Sequence, residues 1–238
     1  MDHILIRGVI PSPSLNGTAD VATDVAFIRD EIILPLVDSG KYLVIGAHSY
    51  AGVSAAGAAQ GLTVPERQQK GLKGGVLGIV YISGLCVPVG SSVVEVFEKH
   101  EVDLSRWMTI DTERGVIIPN SIDDSIRQFY NKLPAEEAKK WAQKILPQSL
   151  ASITSNAAFA PWAEAAWEGR CAYLVCADDQ MLPLQLQQRF VQTGNFVSNK
   201  SLPTSHSPFL DMPEEMAEVL IEFANYFLQV DSNKDRDS

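Results

Sequence analysis

The chain predicts an α/β protein: a doubly wound, mostly parallel sheet with a helical lid inserted between two of its strands. Three observations carry this expectation. Nearly continuous apolar runs, Tyr42-Leu43-Val44-Ile45, Val76-Leu77-Gly78-Ile79-Val80-Tyr81-Ile82 and Ala172-Tyr173-Leu174-Val175-Cys176, read as strands buried on both faces. Helical patterns alternate with them, which is the signature of parallel pairing through crossover helices. Between the second and third runs, over residues 86–170, strand-like runs mostly disappear and charged, helix-prone segments take over.

The elements follow in order. Residues 3–9 form a short apolar strand candidate, and Pro11-Ser12-Pro13-Ser14 must be a loop. Val21, Val25, Ile28, Ile32 and Leu36 recur at helical spacing, with Thr18, Asp20 or Asp24 as start signals and Gly40 as the stop. That helix feeds the strand ending near His48, and an Ala/Gly-rich helix follows Ser49. Residues 71–75 read as a loop before the second strand. Within the insertion, helical patterns occupy 92–99, 123–131 and 136–146, and Trp107, Trp141, Trp162 and Trp167 are expected to pack it. The sheet pattern resumes at Cys171, followed by a helix over 184–191 and a short strand over 196–202. A last helix carries Met216, Val219, Leu220, Phe223 and Phe227 on one face. The expected division is a core of residues 1–85 and 171–230, a helical lid of 86–170, and a flexible polar tail of 231–238.

Composition narrows the function. A chain of 238 residues with 46% hydrophobic content suits one domain with a sizeable core. A net charge of −10 argues against nucleic acid as a partner. The three cysteines are odd in number, and Cys171 and Cys176 fall at a strand, so they read as small buried hydrophobes. His3, His48, His100 and His206 are scattered, no spacing resembles a metal site, and no cofactor is implied. No apolar run reaches the roughly 18 residues a membrane span needs, and no signal sequence is evident. The expectation is a cytoplasmic protein acting on a small molecule.

Three motifs carry chemistry. In Val44-Ile45-Gly46-Ala47-His48-Ser49-Tyr50-Ala51-Gly52, an apolar strand ends in small residues, a serine, and a helix. This is the chemistry of a nucleophile elbow, a sharp turn that lifts a serine hydroxyl above a sheet. Alanines Ala47 and Ala51 stand where the pattern has glycine, which weakens the signal and is expected to crowd the elbow. The second motif, Asp178-Asp179-Gln180-Met181-Leu182-Pro183, puts an acid at a strand end. The third, Pro203-Thr204-Ser205-His206-Ser207-Pro208, puts a histidine in a proline-bounded loop before the last helix. The chain order Ser, Asp, His is the order found in α/β-hydrolases.

With these landmarks placed, the chain resembles a branch of the α/β-hydrolases: small enzymes common in fungal metabolism, distantly similar to plant methylesterases and hydroxynitrile lyases. The matching phrases are Ile28-Arg29-Asp30, His48-Ser49-Tyr50, Lys73-Gly74-Gly75-Val76, Tyr130-Asn131-Lys132-Leu133-Pro134, Tyr173-Leu174-Val175-Cys176 and His206-Ser207-Pro208-Phe209. The resemblance implies Ser49 as nucleophile, Asp179 as triad acid and His206 as base. Asp179 is preferred over Asp178 because the family acid lies four residues before the proline, here Pro183. The Tyr50 N–H would point to where an oxyanion forms. His48 is expected to be structural, and Tyr81 and Ser83 to pack beside the elbow.

Family members usually begin with a further strand whose loop donates a second oxyanion N–H. The expectation here is that 3–9 matches the following strand, leading to Ile10-Pro11-Ser12; the alternative is that Ile4-Leu5-Ile6-Arg7-Gly8 is itself the oxyanion strand. The leading functional expectation is a serine hydrolase of secondary metabolism acting on a small ester, lactone or thioester. The alternatives are a lyase, isomerase or cyclase using the same pocket, or a non-catalytic remnant of the fold. The sheet edge left by a missing strand makes a homodimer the expected assembly.

Overall fold

The computed structural model describes residues 18–234. The stretch 3–9, in either of its two readings, and the loop after it lie outside the described residues.

The chain enters a helix at Val21 because Asp20 caps it, its carboxylate accepting from the Thr23 N–H at 2.8 Å. The helix loosens into a π-turn over Arg29–Ile33 and tightens again over Leu34–Asp38. Pro35 supplies the reason: it has no N–H for the usual bond and its ring crowds the preceding turn. Gly40, at φ +83°, ends the helix. Strand β1 (Tyr42–His48) follows, then helix Ala51–Ala58, helix Val64–Gln68, and strand β2 (Gly75–Ile82). The buried Arg67 staples this region, donating to the carbonyls of Val37, Lys73 and Gly74 and pairing with Asp38 at 2.9 Å.

After β2 comes the insertion. It holds helices Val93–Lys99, Ile122–Phe129 and Ala135–Ala142 near the predicted positions, and a further short helix, Leu150–Thr154, that the sequence reading does not include. It also holds an antiparallel three-stranded sheet of β3 (Met108–Asp111), β4 (Val116–Pro119) and β5 (Gln148–Ser149), which an all-helical reading of the insertion does not anticipate. These strands span four, four and two residues, too short for periodicity to stand out. A turn with Gly115 at φ +64° joins the first two.

The core then resumes with β6 (Cys171–Cys176), helix Leu184–Thr193, β7 (Ser198–Leu202) and the terminal helix Pro213–Lys234. The tail expected from 231 is corrected here: the helix runs on to Lys234. Extending a formed helix adds one backbone bond per residue, so a polar stretch need not end it. Among the described residues, no helix is long and apolar enough to cross a membrane.

The main sheet runs β1-β2-β6-β7, every neighbouring pair parallel. Its two faces are packed separately. Ile79, Tyr81 and Tyr173 join the core under helix Ala51–Ala58, whereas Leu77, Val80 and Leu174 pack on Phe223 and Phe227 of the terminal helix. Gly78 makes that second contact possible: a β-carbon there would lie 2.5 Å from the Phe227 ring. Register aligns His48 with Ile82, and Ile82 with Leu174. The segments that leave β1, β2, β6 and β7 therefore emerge at one edge, where α/β sheets place their sites.

Candidate active site

Ser49 sits at the corner between β1 and helix Ala51–Ala58 with φ +54°. A non-glycine residue pays for this left-handed conformation, on the order of 1–2 kcal/mol. The surrounding backbone holds it there. The Ser49 N–H donates to the Ile82 carbonyl at 3.2 Å, and its own carbonyl accepts from Gly52 and Leu85 N–H, each at 3.0 Å. The crowding expected from Ala47 and Ala51 is relieved nearby. A β-carbon on Gly52 would fall 2.5 Å from the Leu85 carbonyl oxygen, and one on Gly84 would fall 2.9 Å from that of Ala47. The requirement for small residues has moved one position downstream and onto the segment that follows β2.

Asp179 follows β6 and is buried. Its Oδ2 accepts from His206 Nδ1–H at 2.7 Å and from Ser83 Oγ–H at 2.5 Å. Its Oδ1 accepts from the N–H groups of Met181 and Leu182, both at 2.8 Å. Burial pushes this carboxyl upward, but attraction to His206 and the hydrogen bonds from His206, Ser83 and Leu182 outweigh it and hold the pKa below the usual range. Asp178 points elsewhere: its side chain is 45% exposed and pairs with Lys132 at 2.6 Å. The pairing with His206 thus falls to Asp179.

The histidine loop is tied down from several sides. The Ser205 N–H donates to Asp211, Ser205 Oγ donates to the Phe129 carbonyl at 3.1 Å, and the Ser207 N–H donates back to Ser205 Oγ at 3.1 Å. Because a carboxylate only accepts, the His206 proton belongs on Nδ1, which leaves Nε2 as the basic nitrogen.

Ser83 and His48 carry more than packing. Ser83, itself at φ +40°, ends β2 and orients Asp179. His48 donates from Nε2 to the His206 carbonyl at 2.7 Å, and its ring lies 4.7 Å from that of His206 and 5.2 Å, edge-on, from Phe209. Burial and the neighbouring His206 push the His48 pKa down to about 3, so the ring is neutral and braces the loop. No motif flags Ser83, because a serine at a strand end is unremarkable until its acceptor is known.

Ser49 and His206 face one cavity of about 260 Å³, lined also by His48, Phe129, Tyr130 and Phe209. None of the tryptophans lines it; Trp167 is buried in the core and Trp162 packs against it. Among the described residues, nothing accepts from the Tyr50 N–H, which lies at the start of helix Ala51–Ala58. The Tyr50 hydroxyl donates to the buried Asp24 at 2.8 Å, anchoring this residue from below.

A parallel sheet with a strained serine at a strand-to-helix corner defines an α/β class, and comparison with known proteins narrows it. The sequence profile of the alpha/beta hydrolase family matches residues 7–219. The chain belongs to that family, and with hydrolases among its relatives it is an enzyme of hydrolase type. It is 27% identical over 229 residues to alpha/beta hydrolase nvfD of Aspergillus novofumigatus, covering 93% of this chain and 86% of that protein. It is also 27% identical to a pyrethroid hydrolase of Sphingobium wenxiniae, over 78% of this chain and 64% of that protein. Two solved structures share the fold. Tomato methylketone synthase I complexed with 2-tridecanone aligns at a TM-score of 0.69 and 15% identity, over 91% of this chain and 83% of that one. A pyrethroid hydrolase from Sphingobium faniae aligns at 0.66 and 20%, over 88% and 79%.

Proposed function

We infer that this protein is a serine hydrolase that cleaves a small ester, lactone or thioester through Ser49, His206 and Asp179. One observation carries the reading: a serine in left-handed backbone and a histidine bonded to a buried carboxylate open onto the same cavity. The hydrolase names of the relatives at 27% identity point the same way.

The chemistry follows from proton positions. Ser49 Oγ attacks the acyl carbon while His206 Nε2 takes its proton. The negative charge that develops on the acyl oxygen is stabilised by the Tyr50 N–H at the positive end of the helix. The intermediate collapses, and His206 returns the proton to the leaving alcohol or thiol. Water, deprotonated by the same nitrogen, then releases the acid and restores the serine. Asp179 keeps the imidazole in the Nδ1–H tautomer and stabilises the imidazolium.

A fluorophosphonate probe tests this. Labelling is expected at Ser49, lost in Ser49→Ala and in His206→Ala. Turnover that survives Ser49→Ala would replace hydrolysis with lyase or isomerase chemistry, in which no acyl-enzyme forms.

A further inference from the structure

We propose that the substrate carries a neutral apolar arm, and that this arm leaves the reactive cavity over Met108 and Ile117 to occupy a second, larger chamber inside the insertion. The proposal rests on the hydrolytic reading for its chemistry, but the chamber is a separate feature of the fold. It is a half-open space of about 670 Å³, walled by Val94, Phe97, Leu104, Ile110, Leu150 and Ile153. Met108 and Ile117 line both spaces. They belong to the β3–β4 pair, so the small antiparallel sheet forms the partition between the reacting centre and the chamber.

Volume and chemistry both assign the occupant. The reactive cavity, at about 260 Å³, lies below the range that ligand sites ordinarily span, whereas the chamber lies well within it. A substrate confined to the first space would leave the second, mostly apolar, to water. Ile110 is 57% exposed at this chamber, a large hydrophobic side chain that a bound apolar arm would cover. Met108 suits a partition that a chain must pass, because its unbranched thioether adapts to the group beside it.

Charge sets what the arm can end in. Glu98, Glu101 and Asp103 also line the chamber. Asp103 has Arg106 at 3.5 Å, but no lysine or arginine is among the lining residues. Glu101 holds φ +58°, a left-handed backbone that it shares, among the described non-glycine residues, with Ser49 and Ser83. A carboxylate-terminated arm would meet like charge here, and a plain hydrocarbon arm would not.

The test combines turnover with binding. Wild-type protein is assayed on p-nitrophenyl acetate, butyrate and octanoate. Binding of 1-octanol and of octanoate to Ser49→Ala is measured by displacement of Nile red. The chamber predicts kcat/KM rising about tenfold or more from acetate to octanoate, since each methylene transferred from water contributes. Leu104→Trp and Val94→Trp, both at half-buried positions, should collapse that ratio towards one. Octanol should bind Ser49→Ala about fivefold or more tightly than octanoate, and Glu98→Gln with Glu101→Gln should narrow the gap. Binding of 1-octanol to Ser49→Ala, weakened by Leu104→Trp and Val94→Trp, without any wild-type turnover would keep the chamber and remove the hydrolytic reading. Turnover indifferent to chain length, or a preference untouched by both tryptophan variants, would keep hydrolysis and overturn the chamber.

Discussion

At the scale of single residues, Asp179 stands out because it accepts four hydrogen bonds, from His206, Ser83, Met181 and Leu182. Removing its charge leaves the imidazole without its orienting partner, so Asp179→Asn should lower kcat by about 10³- to 10⁴-fold. Ser83→Ala removes one donor and leaves the charge, and a fall nearer tenfold is expected; steady-state kinetics separates the two. His48 gives a pH-dependent expectation. Its folded pKa, near 3, lies below its ordinary value of 6.5. Its contribution to stability is therefore complete above 6.5 and lost as pH falls towards 3, because the unfolded chain binds the extra proton. Between those limits wild-type protein should lose up to about 1.4 kcal/mol per pH unit from this residue. Urea unfolding at pH 6 and pH 5 should show a shallower loss for His48→Gln. That Ser49, Asp179 and His206 lie together in space was legible in the sequence, because each follows an apolar run or sits between prolines, in an order that means something. Ser83 was not, because its partner lies 96 residues away.

At the scale of elements, the elbow depends on close approach between two backbones. The helix that follows Ser49 lies against the Gly84–Leu85 backbone, and only a residue without a β-carbon fits at Gly52. Gly52→Ala should destabilise the protein by about 1–3 kcal/mol through overpacking, read as a lower thermal midpoint, and should slow probe labelling at Ser49 as the corner shifts. The sequence pattern alone suggested a crowded elbow, because Ala47 and Ala51 occupy the positions where glycine is expected. The compensating glycine at Gly84 follows another strand, so local pattern could not reveal it. The insertion shows the same limit. Its helices announce themselves by caps such as the Ser92 and Glu95 box. Its sheet is built from short strands whose pairing, Ile110 with Ile117 for one, joins residues that carry little individual signal. Yet that sheet forms the wall between the two cavities.

At the scale of the whole molecule, the parallel sheet was legible because three buried runs of apolar residues alternate with helical patterns, whereas the strand order β1-β2-β6-β7 is set by long-range pairing that no run reveals. The alignment of strand ends then does the rest: with β1, β2, β6 and β7 parallel and in register, Ser49, Ser83, Asp179 and the His206 loop must share one edge. The same architecture depends on Arg67, which binds three carbonyls and Asp38 at the opposite end of the sheet, where the chain enters β1 and β2. Arg67→Met should cost about 1–3 kcal/mol, since it leaves the Val37 and Gly74 carbonyls without their buried donor, and denaturant unfolding would register it. The most direct measurement is the intact mass of the protein, acid-quenched during turnover of p-nitrophenyl acetate, followed by peptide mapping. One acetyl group on Ser49, absent from Ser49→Ala and accumulating more slowly in His206→Ala, is the expected result. Undiminished turnover by Ser49→Ala, or an acetyl group carried by a different residue, would contradict it.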